Sequence, residues 1–400
     1  MSTKTQIHIA LFYFLLAGAL GVFLRALHVF EFRINYRFIV HSHSHIALLG
    51  WIYVALTSLF YYLFIKKNNR TKRNYILGFG FTQFTLLGML CTFPFQGYGL
   101  FSIIFSTLFI FASYWFTWFF SNNVNEKAKA SACYPYIKAS LFYLVLSSIG
   151  PWALGGIMTT LGVTSIWYRL SIYFYLHFQY NAWMIFAILG IFLFIMEHSG
   201  ISIKNNKSLF IFINLSVILT TLLSALWTKP NNFVYALSAT GAGIQLICFC
   251  SALLFIKQKR ETLQQHFSMV QKLLFKLVIV LLGVKLILQF LGSLPYFAKL
   301  SSNIIEFTIA YLHWIFLGVI SLSLFFILDY VKHLRLRIKH VYFYLIGFLL
   351  TEGLLAYKGI AIWSNNLVVL EYFSVYLLIA SLLLFVAIAM IIFNIKITKQ

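Results

Sequence analysis

Histidines within long apolar stretches are the residues of this sequence whose type and position suggest chemistry. Three of them, His41, His43 and His45, open one apolar stretch, while His177 and His313 lie in two others. Ionisable side chains inside a bilayer are costly and by default mark functional sites. Imidazoles on separate helices are suited to sharing haem iron or another metal in a bundle core. The alternative is that each one only hydrogen-bonds a neighbouring helix.

The composition places these stretches in a membrane protein. Hydrophobic residues make up 62% of the 400 residues, charged residues only 10%, and the mean hydropathy is +0.89. A soluble domain carries about 25% charged residues, so a soluble enzyme, a disordered protein and an extracellular disulfide scaffold are excluded. The net charge of +22 resides in short loops, where basic residues set topology rather than bind nucleic acid.

The apolar stretches predict an all-α fold with a single twelve-helix transmembrane domain over residues 1–400. A bilayer core needs about 20 apolar residues per helix, and continuous rather than alternating runs exclude a barrel. No internal repeat is recognised at the level of residues. The predicted segments are roughly 7–25, 40–64, 75–93, 98–120, 137–160, 170–195, 208–227, 233–256, 272–292, 305–328, 341–363 and 370–394.

The loop charges predict that both termini are cytoplasmic. Twenty-two of the 30 basic residues, including Lys4, Lys204, Lys396 and Lys399, fall on one side of the predicted membrane, and seven fall on the other. Positive loops face the cytoplasm. Helices 2, 6 and 10 then enter from the outer side, so that His45, His177 and His313 lie roughly 8–12 Å below it at 1.5 Å per residue.

Polar residues near these histidines are candidates for a supporting role. Tyr173, Tyr180 and Asn181 share a helical face with His177 by their spacing. Glu306 lies two turns before His313, where it would orient a ligand, carry protons or simply be an interfacial carboxylate. The candidates for pairing with haem propionates, or else ordinary interface residues, are Arg33, Arg37 and Arg169.

Two further charges lie within predicted helices. Lys285 is about two turns from the outer end of helix 9, and Glu352 is near the middle of helix 11. Three interpretations remain open for them: they pair, they line a proton path, or they bind the substrate of a transporter.

Helix 2 carries the clearest resemblance to a known family. Its run His43-Ser44-His45-Ile46-Ala47-Leu48-Leu49-Gly50-Trp51, together with twelve helices and cytoplasmic termini, resembles the catalytic subunit of the haem–copper oxidases, including the nitric oxide reductase branch. A shorter haem- and copper-containing membrane family linked to nitric oxide response is equally similar.

The resemblance implies a role for each histidine. His45, or His43, and His313 would be the axial ligands of a low-spin b-type haem, and His177 would match the copper ligand of helix 6. The sequence departs from the family at three places: Tyr311 replaces the first histidine of helix 10, Asn181 replaces a helix 6 tyrosine, and helix 7 contains no histidine. The oxygen-reducing copper site is therefore incomplete, which leaves enzymatic activity open.

The preferred interpretation is a haem-binding protein of the bacterial inner membrane, acting in respiratory electron transfer or in NO or O₂ handling. Haem b is the expected cofactor and copper a further candidate. A cytochrome, a quinol or a partner subunit would supply electrons. No Cys-x-x-Cys-His motif for covalent haem attachment is present.

Two other classes of function remain as alternatives. The first is a proton- or ion-coupled transporter that uses Lys285, Glu352 and the histidines. The second is a di-metal hydroxylase or desaturase, suggested by the spacing of His41 and His45 as a single histidine box on the outer side.

Overall fold

Twelve helices long and apolar enough to cross a membrane make up most of the computed structural model, which describes residues 1–203, 206–365 and 372–393. Lys204, Lys396 and Lys399 lie outside the described residues. The protein is an all-α polytopic membrane protein, as predicted. The helices are α1 (Thr3–Ala26), α2 (Tyr36–Phe64), α3 (Asn69–Gln96), α4 (Leu100–Asn123), α5 (Tyr134–Thr160), α6 (Ile166–His198), α7 (Lys207–Thr228), α8 (Asn232–Gln258), α9 (Met269–Leu291), α10 (Ile305–Tyr330), α11 (Ile338–Trp363) and α12 (Phe373–Phe393).

Helices α2 and α6 begin four residues earlier than hydropathy predicts. Asn35 caps α2 by accepting a hydrogen bond from the backbone N–H of Arg37, and Ser165 caps α6 in the same way through Trp167. Such caps satisfy backbone donors that have no intrahelical partner. Hydropathy does not detect these polar first turns. Because α2 and α6 begin earlier, their histidines lie farther from the helix start than the hydropathy pattern predicts.

The chain divides into two compact units. The first contains residues 1–129, 328–355 and 368–400, and the second contains residues 130–327 and 356–367. In unit 1, α1 packs against α2 and α12, and α3 packs against α2 and α4. In unit 2, α5 packs on α6, α6 on α7, α7 on α8, α8 on α9, and α9 on α10.

The helices that carry the histidines are the most buried of the twelve. The most apolar 18-residue windows of α2, α6 and α10 are 83%, 61% and 67% buried, whereas the other candidate spans among the described residues range from 17% to 39%. Most side chains in these three windows therefore face protein rather than lipid.

Gly347 of α11 lies against the backbone of α12 in unit 1. A Cβ atom at this position would lie 2.7 Å from Leu384 Cα, which belongs to the backbone of α12. Small residues at helix interfaces in membranes permit such packing. Gly347→Ala should therefore push the two helices apart and destabilise the protein by about 1–3 kcal/mol. The measurement is the thermal unfolding midpoint of the detergent-purified variant.

Gly353, on the same helix, is the matched control. A Cβ atom there meets nothing within 4 Å, and alanine favours a helix over glycine by roughly 1 kcal/mol. Gly353→Ala should unfold at the wild-type temperature or above it. Equal midpoints for the two variants would show that the Gly347 contact does not limit stability.

Candidate functional site

Three histidines in membrane helices, namely His45, His177 and His313, immediately precede a π-helical segment. The α-helical hydrogen bonding ends at His45, His177 and His313, and π-helices run through Ile46–Tyr53, Phe178–Trp183 and Trp314–Ile320. Across residues 1–203, 206–365 and 372–393, π-helical segments occur at these three places. Such segments are rare and frequently lie at functional sites. The π-helical segments therefore follow the same three histidines that the sequence places at a common depth in the membrane.

The three junctions share a short sequence pattern. Four residues separate each histidine from a small residue inside the π-helical segment, which is Gly50, Ala182 or Gly318. Trp51 and Trp183 follow the first two, and both side chains are fully buried. The copies of this local repeat are about 130 residues apart, and only the histidine is identical in all three. Residue identity alone therefore does not reveal the repeat.

The geometry of His45 suits a metal ligand. Its Nδ1 lies 2.8 Å from the carbonyl oxygen of His41. Because a carbonyl only accepts, Nδ1 carries the hydrogen and Nε2 keeps a lone pair. A histidine that binds a metal typically donates its other N–H to such an oxygen, which fixes the ring orientation. His45 thus has the tautomer that haem iron requires.

Aromatic rings surround His45 and His41 in unit 1. The His45 ring lies 4.4 Å from that of Phe93, and the His41 ring lies 4.6 Å from that of Tyr98. Phe93 is fully buried. No hydrogen bond joins either ring nitrogen of His41 to another described residue. Aromatic rings therefore lie directly against both imidazoles.

His43 points in a different direction from His45. Its Nδ1 donates to the carbonyl oxygen of Ala17 on α1 at 2.9 Å, and its ring lies against Gly21. Two residues along a helix rotate a side chain by about 200°, which accounts for the difference. By the same argument Nε2 of His43 also keeps a lone pair, so the tautomer alone leaves the choice between His43 and His45 open. His43 joins α2 to α1, whereas His45 directly precedes a π-helix.

Both ring nitrogens of His177 are in hydrogen bonds within unit 2. Nε2 donates to the carbonyl oxygen of Val217 on α7 at 2.9 Å, and Nδ1 accepts from Asn181 Nδ2 at 3.2 Å. The side chain is 2% exposed. Coordination of a metal would break one of these bonds and leave a buried polar group unsatisfied. The geometry of His177 therefore favours the structural alternative over the copper ligand that the resemblance implied.

His313 ends the first, α-helical part of α10, and its ring is half-buried. The next residue, Trp314, ties α10 to α9 by donating its Nε1–H to the carbonyl oxygen of Leu281 at 2.9 Å. Tyr180 of α6 lies with its ring 5.8 Å from that of Phe316. Trp314 and Phe316, which follow His313, therefore contact α9 and α6 of unit 2.

The three arginines suggested for propionates lie in exposed positions. Arg33 lines a surface pocket of about 510 Å³ together with Leu27, Phe30, Glu31 and Phe32. Arg37 lies one turn before His41 at the start of α2. Arg169 stacks on Trp227, 5.5 Å from the ring centroid. Arg33 and Arg37 belong to the same unit as His45, whereas Arg169 belongs to the other.

The acidic candidates have partners of their own. Glu306 forms an ion pair with Lys358 at 2.8 Å. Glu352 is 4% exposed, accepts from Thr351 Oγ1 at 3.4 Å and interacts with the charge of Arg25. These contacts favour an ion-pairing role for Glu306 over orientation of a ligand at His313.

Over the described parts of the chain, no cluster of three or more His, Cys, Asp or Glu side chains is placed to hold a metal ion. A copper site built from several histidines, as in the oxidases, is therefore not formed by residues 1–203, 206–365 and 372–393. A haem needs only one or two protein ligands, so His45 remains a suitable ligand.

His333, in the loop between α10 and α11, lies among basic groups. Its ring is 4.5 Å from that of Tyr62, over which Lys67 lies. Partial burial lowers the pKa of His333 from its usual 6.5, and the charges of Lys4, Lys67 and His8 lower it further. The unfolded chain therefore binds more protons than the folded chain below about pH 6.5.

The stability of the wild-type protein should consequently fall as the pH is lowered from 7 through 6.5 toward the lowered pKa of His333. His333→Asn should lose less stability over the same range, because it removes the group that takes up the proton on unfolding. Thermal midpoints at pH 7.0 and 5.5 measure this, with the exposed His266→Asn as the control for removing an imidazole. Parallel pH profiles for the wild type and His333→Asn would contradict it.

The chain matches no known protein family, and no curated protein is similar to it in sequence. The class defined by fold and site is an α-helical multi-pass membrane protein with histidines at α-to-π junctions in its most buried helices.

Proposed function

We propose that this protein binds a b-type haem through His45 and serves respiratory electron transfer or the handling of NO or O₂. The observation that carries the proposal is that His45 directly precedes a π-helix, which His43 does not, while a backbone carbonyl oxygen holds its Nδ1–H and Nε2 keeps a lone pair. The preceding α-helical turn and the following π-helix fix the position of the imidazole.

His313 occupies the same place in α10 that His45 occupies in α2, at the end of an α-helical turn and before a π-helix. Because His45 belongs to unit 1 and His313 to unit 2, the proposal rests on His45 alone. Haem held by imidazole supplies one-electron redox chemistry. Copper is not part of the proposal, because His177 has no available nitrogen.

Topology and location complete the proposal. The excess of basic residues in one set of loops supports cytoplasmic termini, and we place the chain in the inner membrane of a bacterium. A cytochrome, a quinol or a partner subunit would donate electrons. A C-terminal reporter that is active only in the cytoplasm tests the orientation.

The experiment that tests the haem proposal is a reduced-minus-oxidised visible spectrum of the detergent-purified protein, recorded with and without carbon monoxide. A sharp b-type α-band that carbon monoxide does not change would support ligation by two imidazoles. A band that carbon monoxide shifts would show an open coordination position and favour binding of NO or O₂. A featureless spectrum would overturn the proposal.

A coupled transporter is the second candidate, and one observation favours it. Lys285 is 3% exposed inside a membrane helix, where a charge is expensive and usually functional. This candidate predicts a protein without a chromophore.

A further inference from the structure

Lys285 of α9 begins a hydrogen-bonded chain that crosses three helices of unit 2. Lys285 Nζ donates to Gln289 Oε1, and Gln289 Nε2 donates to Gln245 Oε1 of α8 at 2.7 Å. Gln245 Nε2 then lies 3.4 Å from Thr220 Oγ1 of α7. All four side chains are at most 9% exposed. Buried polar groups of this kind rigidify a structure only when each has a partner.

The donor and acceptor roles along this hydrogen-bonded chain follow from Thr220, at the end opposite Lys285. Thr220 Oγ1 donates its hydrogen to the carbonyl oxygen of Ser216 at 2.8 Å, so its oxygen accepts from Gln245. Each amide must then present its oxygen toward α9, which leaves Gln289 Oε1 as the acceptor for the amine. This chain satisfies one N–H of Lys285, and among the described residues Gln289 is its hydrogen-bond partner. The remaining N–H groups of Lys285 are available for a ligand.

Unit 2 contains no carboxylate that is free to neutralise Lys285. Its acidic residues are Glu197, Glu261 and Glu306. Glu197 accepts from Ser131 and from the backbone of Ala132 at 3.0 Å, Glu261 is exposed, and Glu306 pairs with Lys358. A buried ammonium without a counter-charge is strongly unfavourable. Lys285 in unit 2 therefore requires either loss of its proton or an anion from outside the unit.

We propose that Lys285 is the cationic centre of a site that binds a small monovalent anion, of the carboxylate or halide class, together with one proton. The empty site holds a neutral amine, and the anion binds as the amine takes up a proton from solution. Uncharged amides face Lys285 from α8 and α9, and the titratable group that acts on it from α6 is His177. The His177 ring is neutral, because Nε2–H donates to Val217 while Nδ1 accepts from Asn181.

The test measures the binding of sodium formate to the purified protein by thermal unfolding, with sodium gluconate at equal ionic strength as the reference. Formate should raise the midpoint of the wild type, because a ligand that binds only the folded state stabilises it. Since one proton binds with each anion, the apparent Kd should rise about tenfold per pH unit once the amine is neutral. No response to formate at pH 6, beyond that to gluconate, would overturn the proposal.

Gln289→Glu is the sharpest variant, because it keeps an acceptor oxygen toward Lys285 in a side chain of nearly the same shape. It places a carboxylate against Lys285 and supplies the missing counter-charge. The variant should fold and lose its response to formate, although its carboxylate cannot donate the hydrogen bond that Gln289 Nε2 gives to Gln245 Oε1. A response equal to that of the wild type would contradict the site.

The variants Lys285→Arg and Lys285→Met distinguish anion binding from proton uptake. Arginine remains charged at all relevant pH values, so Lys285→Arg should bind formate with little dependence on pH. Lys285→Met should not bind formate, and if it fails to fold, Gln289→Glu decides the question. None of these readouts involves haem, so their failure and the failure of the haem proposal are distinguishable.

Discussion

Replacing His45 with alanine should remove haem from the purified protein, with at least a tenfold fall in haem per chain. The expectation follows from the geometry, since His45 presents Nε2 with a lone pair while His41 holds its Nδ1–H at 2.8 Å. Loss of an axial ligand removes the bond that anchors the iron. Haem content is measured by pyridine haemochrome on the monodisperse fraction from size-exclusion chromatography, so that misfolded protein is left out.

His43→Ala is the matched control for His45→Ala, because it removes an imidazole from the same helix two residues away. It should keep its haem while losing the hydrogen bond to Ala17, which costs about 1 kcal/mol. His45→Gly supplemented with free imidazole should recover part of the absorption, because the ligand is then supplied from solution. Loss of haem in His43→Ala with retention in His45→Ala would assign the ligand to His43 instead.

Replacing His177 with leucine should strongly destabilise the protein without removing haem. The substitution leaves the side-chain amide of Asn181 without its acceptor in a buried place. It also removes one donor to the carbonyl oxygen of Val217, which keeps the hydroxyl groups of Thr220 and Thr221. An unsatisfied group costs about 1–3 kcal/mol and a lost hydrogen bond about 1 kcal/mol, so we expect a loss of about 2–4 kcal/mol in the free energy of unfolding. The measurements are the thermal midpoint and the haem content of the folded fraction.

His177→Gln provides the control, because a glutamine amide retains a donor that can reach Val217. It should recover part of the stability lost in His177→Leu. The result that would contradict this account is a His177→Leu protein of wild-type stability that has lost a bound metal or its haem. His177 would then be a ligand, as the resemblance to the oxidases implies.

The twelve helices were predictable because membrane insertion imposes a length and a composition on each span. Helix starts were less accessible to hydropathy, since the polar caps Asn35 and Ser165 extend α2 and α6 outward. The placement of histidines on the second, sixth and tenth helices was also read from the sequence. What the structure adds is that these helices are the most buried.

The local chemistry of each histidine could not be read from the sequence. The partners of His45, His43 and His177 are backbone carbonyl oxygens. Because every residue has such an oxygen, the residue types in the sequence do not reveal which one is the partner. The repeated spacing of histidine to Gly50, Ala182 and Gly318 was a usable signal for the π-helical segments. The pairing of Lys285 with Gln289 follows from their i, i+4 spacing in the sequence. The contact with Gln245 on α8 depends on the packing of the helices and could not be predicted from the sequence.

The most direct test of the central proposal is the haem content of the wild-type protein, purified in detergent from haem-replete cells and quantified by pyridine haemochrome. We expect a b-type haem at close to one per chain. A colourless protein that is folded and monodisperse would contradict it, and would favour the transporter interpretation based on Lys285.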